Sequence, residues 1–186
     1  TDNLIVADTT YKETFSIYLP TFYSNDKNWP VIFIFDSEGR GKIVTQLFKQ
    51  TAEEQGYIIA SSNVVLKGKD LVENAEVCNR LIETVNAYFA VNDNALYMAG
   101  LDEGALATMA LSSVRNNVKG VLAIGDFWIN SKLLKPGSGY PFVGMVNYKD
   151  PDYYRLQDIT NYISKIGYPT RIYKFDEDQD YPSADF

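Results

Sequence analysis

Histidine is missing from all 186 residues of the chain, and cysteine occurs only once. Imidazole is the side chain that exchanges protons near neutral pH, so its absence excludes a Ser-His-Asp triad, a Cys-His pair and a His-ligated zinc site within these residues. A single cysteine excludes an internal disulfide and a cysteine-rich metal site. We therefore expect neither a resident metal nor a cofactor.

Positive charge and long apolar runs are also scarce. The chain carries 17 Lys and Arg against 24 Asp and Glu, a formal net charge of −7. This balance argues against a nucleic-acid partner, because there is no basic excess to displace counterions from phosphates. No apolar run approaches the roughly 20 residues of a membrane-spanning helix, so we expect no membrane span.

The beginning of the chain suggests processing or trimming. It opens on Thr1, Asp2 and Asn3 without an initiator methionine. The missing methionine means that the absence of a targeting segment does not establish a cytoplasmic home. An extracytoplasmic location is favoured over a cytoplasmic one, and the compartment itself stays unknown.

Composition and length are those of a globular protein. Hydrophobic residues make up 46% and charged residues 22% of the chain, which separates it from disordered sequences. No repeat, low-complexity tract or Pro/Gly-rich linker divides it. The sequence predicts one domain over residues 1–186.

Strand and helix patterns alternate along most of the chain. Several predicted strands are apolar throughout, which is typical of parallel strands covered on both faces. The predicted strands are Thr14–Leu19, Val31–Phe35, Tyr57–Ser61, Ala95–Ala99, Val118–Ile124, Phe142–Val146 and Arg171–Phe175, and the predicted helices are Ile43–Gln55, Leu71–Ala90, Ala105–Val114 and Arg155–Ile166. We expect an α/β fold with a mainly parallel sheet and helices on both faces.

The most informative segment is the turn Gly100–Gly104 (GLDEG). It joins the apolar strand Ala95–Ala99 directly to the Ala-rich helix Ala105–Val114. Glycines two positions before and after a central residue allow a sharp strand-to-helix turn. Such a turn lifts the central side chain, here Asp102, above the carboxyl edge of the sheet and beside the free N–H groups of a helix N-terminus. This is the geometry of a nucleophile elbow.

With this turn the chain resembles the α/β-hydrolase superfamily, in particular bacterial esterases related to dienelactone hydrolases and feruloyl esterases. The resemblance covers nearly the whole chain. The matching segments are Val31–Gly41, Gly56–Asn63, Gly100–Gly104, Phe142–Tyr154 and Phe175–Pro182. The resemblance implies a three-layer sandwich, and it implies a final helix that these 186 residues would lack if they are a trimmed piece of a longer chain.

The resemblance also implies where a catalytic triad would lie. Asp102 takes the place of the nucleophilic serine, Asp150 that of the acid and Gln179 that of the histidine. The backbone amides of Ser37 and Glu103 take the place of the oxyanion hole. Only the acid keeps its chemistry, so no catalytic residue is expected at these positions.

Replacement of the serine and histidine changes what the elbow can do. A carboxylate at Asp102 has no proton to lose, and it would fill the oxyanion hole with the protein's own negative charge. Related dehalogenases use an elbow aspartate as nucleophile, but they need a histidine to activate water for the second step. We therefore expect an inactive esterase-like domain retained for binding a small molecule or a protein.

Two alternatives stay open. The first is a hydrolase of the esterase or dehalogenase type that uses Asp102 as carboxylate nucleophile. The second is a metal-dependent binding module: the run Asp176–Asp180 has an Asp-x-Asp-x-Asp spacing, although it lacks the glycine and glutamate of an EF-hand loop. Asp102, Asp126 and Asp150 would form another hard-cation site if they converge.

Overall fold

In the described part of the chain, eight strands form a single mixed sheet that is mostly parallel. The computed structural model describes residues 3–8, 12–125, 139–150, 153–176 and Tyr181. The strands are β1 (Asn3–Asp8), β2 (Glu13–Tyr18), β3 (Trp29–Asp36), β4 (Ile58–Ser62), β5 (Val91–Leu101), β6 (Val118–Ile124), β7 (Phe142–Asn147) and β8 (Thr170–Phe175). Their order across the sheet is β1-β2-β4-β3-β5-β6-β7-β8. Strands β3 to β8 are parallel to one another, whereas β2 pairs antiparallel with both β1 and β4.

Four helices connect the parallel strands. They are α1 (Gly41–Gln55), α2 (Leu71–Tyr88), α3 (Glu103–Val114) and α4 (Tyr153–Lys165). Helix α1 ends at Gly56 in the left-handed conformation, as its sequence predicts. Helix α2 begins at Asp70, whose carboxylate accepts a hydrogen bond from the Glu73 N–H at 2.8 Å.

The sheet separates two apolar clusters. The larger cluster contains the inner faces of α2, α3 and α4, represented by Leu81, Met109 and Ile163. The smaller cluster lies on the other face, where Val44 and Ala52 of α1 pack on the sheet. Helices thus cover both faces of the sheet, and the predicted three-layer α/β class is confirmed.

Strand β1 is absent from the strands predicted from the sequence, and β5 is longer than predicted. The central residues of Asn3–Asp8 form an apolar run with no alternation, and only antiparallel pairing with β2 identifies them as an edge strand. Strand β5 begins at Val91 rather than Ala95. The residues after Val91 are polar (Asn92, Asp93 and Asn94), and an irregularity in the pairing with β3 accommodates them.

The parallel order decides where a functional site can form. The carboxyl ends of β3, β5, β6, β7 and β8 meet at one edge of the sheet, where loops from different parts of the chain converge.

Among the described helices, none is both long and apolar enough to cross a membrane.

Candidate functional site

Asp102 lies in a strained turn between β5 and α3. Its φ is 49° and its ψ is −116°, a backbone conformation that residues other than glycine rarely adopt. A non-glycine residue held in such a conformation costs on the order of 1–3 kcal/mol, and such residues concentrate at functional sites. The strained elbow predicted for Gly100–Gly104 is therefore present, with Asp102 at its centre.

Two glycines allow the turn to close. An ideal Cβ atom on Gly104 would lie 1.9 Å from the carbonyl oxygen of Phe35, and one on Gly100 would lie 2.3 Å from the carbonyl carbon of Gly104. Neither distance leaves room for a side chain. The close approach of backbone to backbone fixes the first turn of α3 against both β3 and β5.

The Asp102 carboxylate lies over the end of the neighbouring strand β6. The Asp102 N–H donates to the Ile124 carbonyl oxygen at 3.0 Å. A Cβ atom on Gly125 would lie 2.2 Å from Oδ1 of Asp102. Gly125 has a φ of 77°, which favours glycine for a second reason. The absence of a side chain at Gly125, directly after β6, thus leaves space for the Asp102 carboxylate.

The loop after β3 is organised by a buried aspartate that sequence analysis missed. Asp36 is 1% exposed, and its Oδ1 accepts from the N–H groups of Glu38 at 2.8 Å and Arg40 at 3.2 Å. The Arg40 guanidinium donates to both carboxylate oxygens at 2.9–3.1 Å. Together with the hydrogen bond from the Gly39 N–H to the Asp36 carbonyl oxygen at 3.1 Å, these bonds form a tight turn over residues 36–39 and hold Ser37 within it.

Tyr181 joins the far end of the chain to this loop. Its hydroxyl donates to Oδ2 of Asp36 at 2.6 Å, and its ring lies 5.7 Å from the Arg40 guanidinium carbon. Burial alone would raise the pKa of Asp36, but hydrogen bonds from Arg40 and Tyr181 outweigh it and lower that pKa below its ordinary value. Burial and the adjacent Asp36 raise the pKa of Tyr181, which keeps its hydroxyl protonated.

Lys67 adds a cation to the loop after β3, and it is not among the site residues predicted from the sequence. Its Nζ lies 2.6 Å from Oε1 of Glu38, and its backbone N–H donates to the Ser37 carbonyl oxygen at 3.0 Å. The hydrogen bond and charge of Glu38 raise the pKa of Lys67, and the charges of Glu103 and Asp102 add to the increase. Lys67 is therefore held beside Ser37 and Glu38 at the sheet edge that carries the elbow.

The structure brings together most of the positions named from the sequence. Ser37 is buried at the end of β3, and Glu103 begins α3 directly after Asp102. Asp150 lies in the turn after β7, where its carbonyl oxygen accepts from the Tyr153 N–H at 3.2 Å. Strand β7 is two strands from β5 in the sheet, so Asp150 follows the carboxyl end of a strand at the same sheet edge as the elbow. Gln179 lies outside the described residues.

The metal hypotheses rest on residues of which few are described. Asp126 and residues 177–180 lie outside the described part, while Asp176 lies 3.2 Å from Nζ of Lys149. Within the described ranges, no three His, Cys, Asp or Glu side chains are close enough to hold a metal ion. The described part of the site thus consists of carboxylates paired with Arg40 and Lys67.

The single cysteine, Cys78, lies in the interior of the protein. Cys78 is fully buried in the larger apolar cluster, against α2 neighbours such as Val77 and Ile82. Burial raises the pKa of its thiol well above the ordinary value. Cys78 therefore packs as a small apolar residue.

Comparison with solved structures relates this architecture to hydrolases. Esterase 2 of Thermogutta terrifontis, phosphonylated by sarin, superimposes with a TM-score of 0.69 at 10% identity, over 94% of this chain and 83% of the esterase. The fluorophosphonate-binding serine hydrolase F of Staphylococcus aureus gives a TM-score of 0.65 at 13% identity, over 89% of this chain and 86% of that one. The protein has the α/β-hydrolase fold.

A third solved structure extends this fold relationship. A dienelactone hydrolase-like promiscuous phosphotriesterase from metagenomic libraries gives a TM-score of 0.67 at 9% identity, over 89% of this chain and 76% of its own. No family model and no curated protein sequence matches the chain. The expected α/β-hydrolase fold and its likeness to esterases are thereby confirmed. At these identities the likeness concerns the fold alone.

The close approach at Gly104 generates the first prediction. Gly104→Ala should lower the free energy of unfolding by about 3 kcal/mol or more, since the new methyl group meets the Phe35 backbone. Gly68→Ala is the matched control: nothing lies within 4 Å of its Cβ position, and only its φ of 81° opposes the change. Urea denaturation should show a loss of about 1 kcal/mol for that control. Equal losses for the two variants would contradict the steric account.

The buried carboxylate generates a pH prediction. The pKa of Asp36 is lower in the folded protein than in the unfolded chain. Asp36 therefore stabilises the fold at pH values above the pKa of an unfolded aspartate, which is about 4. This stabilisation is lost as the pH falls through the lower pKa of the folded state. Tyr181→Phe should reduce stability at pH 7 by roughly 1.5–3 kcal/mol and shift the acid-induced loss to higher pH. Thermal unfolding between pH 2 and pH 7 measures both effects. Tyr154→Phe, at an exposed position, is the control; equal acid profiles for Tyr181→Phe and the unmodified protein would rule out this role.

Proposed function

We propose that this α/β-hydrolase-fold domain binds a ligand at the elbow and does not turn over esters. The observation that carries the proposal is a carboxylate at the strained central position, Asp102, in a chain whose 186 residues contain no histidine. An ester hydrolase needs a nucleophile with a proton to give up and a base to take it. Asp102 offers no such proton, and a carboxylate beside the α3 N-terminus opposes a developing oxyanion.

The charges around the elbow indicate the chemistry of the ligand. Asp36, Glu38, Asp102 and Glu103 bring four carboxylates, whereas Arg40 and Lys67 bring two cations. Arg40 pairs with Asp36, and Lys67 pairs with Glu38. Four carboxylates against two cations give these side chains together a negative formal charge. A small molecule with a cationic or hydrogen-bond-donating group therefore fits this sheet edge better than an anionic ester or phosphate.

A second function is favoured by the strain at Asp102. A φ of 49° and a ψ of −116° give Asp102 the strained backbone that the central residue of a nucleophile elbow has. In that case Asp102 attacks the carbon of an alkyl halide, the carbon–halogen bond breaks, the halide leaves with the electron pair and an ester forms. Without a base to activate water, the ester persists.

Turnover and adduct formation distinguish these two functions. We expect no hydrolysis of nitrophenyl esters above the blank, and the same result for Asp102→Asn. Intact-mass spectrometry after incubation with a bromoalkane and an epoxide should show the unmodified mass. Reproducible turnover that Asp102→Asn abolishes would refute the binding-only proposal, and an adduct mapped to Asp102 would establish the nucleophile instead.

The ligand chemistry is tested with a charged and a neutral probe of equal shape. Benzylamine should shift NMR signals around the elbow, with millimolar affinity that weakens by about tenfold in Asp102→Asn. Benzyl alcohol should bind more weakly to the unmodified protein and equally to the variant. Asp93→Asn, far from the elbow at the start of β5, is the matched charge control. Identical behaviour of the two probes would rule out a cation-selective site.

A further inference from the structure

The turn after β3 lies directly beside the elbow in the sheet. In the parallel pairing of β3 with β5, Asp36 is the partner of Leu101, the residue before Asp102. Paired strands lie about 4.8 Å apart. Ser37 and Glu38, which follow Asp36, therefore leave the sheet next to Asp102, and the turn forms one side of the proposed ligand site.

Tyr181 packs against the same part of the sheet, on the side of α1. Its ring is buried in the smaller apolar cluster, to which Leu101 and Ile124 also belong. Leu101 precedes Asp102, and the Ile124 carbonyl oxygen accepts the Asp102 N–H at 3.0 Å. Burial and the adjacent Asp36 raise the pKa of the Tyr181 hydroxyl, and the charge of Asp102 adds to the increase. A buried hydroxyl that stays protonated acts on the elbow through its neighbours rather than as an acid or base.

The Tyr181 hydroxyl approaches Asp36 from outside the turn. The other described donors to this carboxylate are the N–H groups of Glu38 and Arg40 and the Arg40 guanidinium, all of which belong to the turn itself. These bonds fix the turn relative to the carboxylate. The bond from Tyr181, at 2.6 Å, fixes the direction of the carboxylate relative to the sheet.

The loop after β4 supports another part of the turn. Two N–H groups of this loop, one of them from Lys67, donate to the Ser37 carbonyl oxygen at 2.9 and 3.0 Å. The Lys67 side chain pairs with Glu38, but both side chains are largely exposed, and such pairs contribute little. The loop after β4 thus fixes the Ser37 carbonyl group, whereas the backbone position of Glu38 depends on Asp36 and hence on Tyr181.

We propose that Tyr181 is a positioning residue for the ligand of the elbow. Through Asp36 it holds Ser37 and Glu38 beside Asp102, so the turn is ordered before the ligand binds. A site ordered in advance loses less conformational entropy on binding and has a higher affinity. Because coupling between binding events is reciprocal, the ligand also strengthens the contact between Tyr181 and Asp36. The inference rests on the proposed function, from which it takes a ligand at the elbow.

Affinity for benzylamine tests this role. Tyr181→Phe keeps the ring and loses the hydroxyl, and it should weaken benzylamine binding about fivefold, at the low end of coupling between sites. The NMR titration is run at a temperature at which circular dichroism shows the variant to be folded, so a loss of stability alone leaves the affinity unchanged. Tyr154→Phe, at a position 75% exposed on α4, is the matched control and should bind as the unmodified protein does. Equal affinities of Tyr181→Phe and the unmodified protein would overturn the inference.

Amide hydrogen exchange tests whether Tyr181 orders the turn. The N–H groups of Glu38 and Arg40 donate to the buried carboxylate, so Tyr181→Phe should speed their exchange about tenfold. The Gly56 N–H, at the other end of α1, is the internal control and should exchange at an unchanged rate. In the unmodified protein, benzylamine should slow the exchange of Glu38 and Arg40. Unchanged exchange of these two groups in Tyr181→Phe would overturn the inference, whatever benzylamine does.

The two measurements separate this inference from the proposed function. If the unmodified protein binds no benzylamine, the proposed function is refuted, and the exchange rates in Tyr181→Phe still decide whether Tyr181 orders the turn. If Tyr181→Phe does not fold, the unmodified protein decides. Exchange of the Glu38 and Arg40 amides that saturating benzylamine leaves unchanged would then count against the positioning role.

Discussion

The architecture depends on one close contact, in which the first turn of α3 lies directly against the backbone of β3. The distance of 1.9 Å between the Phe35 oxygen and a Cβ position on Gly104 means that no other residue type fits without movement. This contact forces the chain leaving β5 to turn within a few residues. The strained conformation of Asp102 follows from that turn. It also brings the end of β3, with Ser37, beside the N-terminus of α3.

Electrostatic interactions at the same sheet edge supplement this steric constraint. Asp36 is buried, so its charge is stable only because Arg40, Tyr181 and nearby N–H groups all donate to it. Removing a single donor leaves a buried carboxylate oxygen with one hydrogen bond fewer and no water to replace it. The same carboxylate therefore joins the loop after β3 to Tyr181, 145 positions later in the sequence.

The local parts of this arrangement could be predicted from the sequence, and the long-range parts could not. The strand pattern of Val31–Phe35 and the glycine spacing in Gly100–Gly104 are local signals, and both elements are present. Asp36 directly follows an apolar strand, and Arg40 follows it by four residues, so a turn with an ion pair could have been proposed. No local signal connects Asp36 to Tyr181 or Lys67 to Glu38, because these contacts join segments that lie far apart in the sequence.

Helix α1 joins the loop after β3 to the opposite edge of the sheet. Its first residue, Gly41, follows Arg40, and a Cβ atom there would lie 2.5 Å from the Ser62 carbonyl oxygen, so the beginning of α1 is fixed against β4. A helix is stiff over the length of α1. Because the buried Asp36 holds Arg40 directly before this helix, the loop after β3 cannot shift without displacing the beginning of α1 from β4.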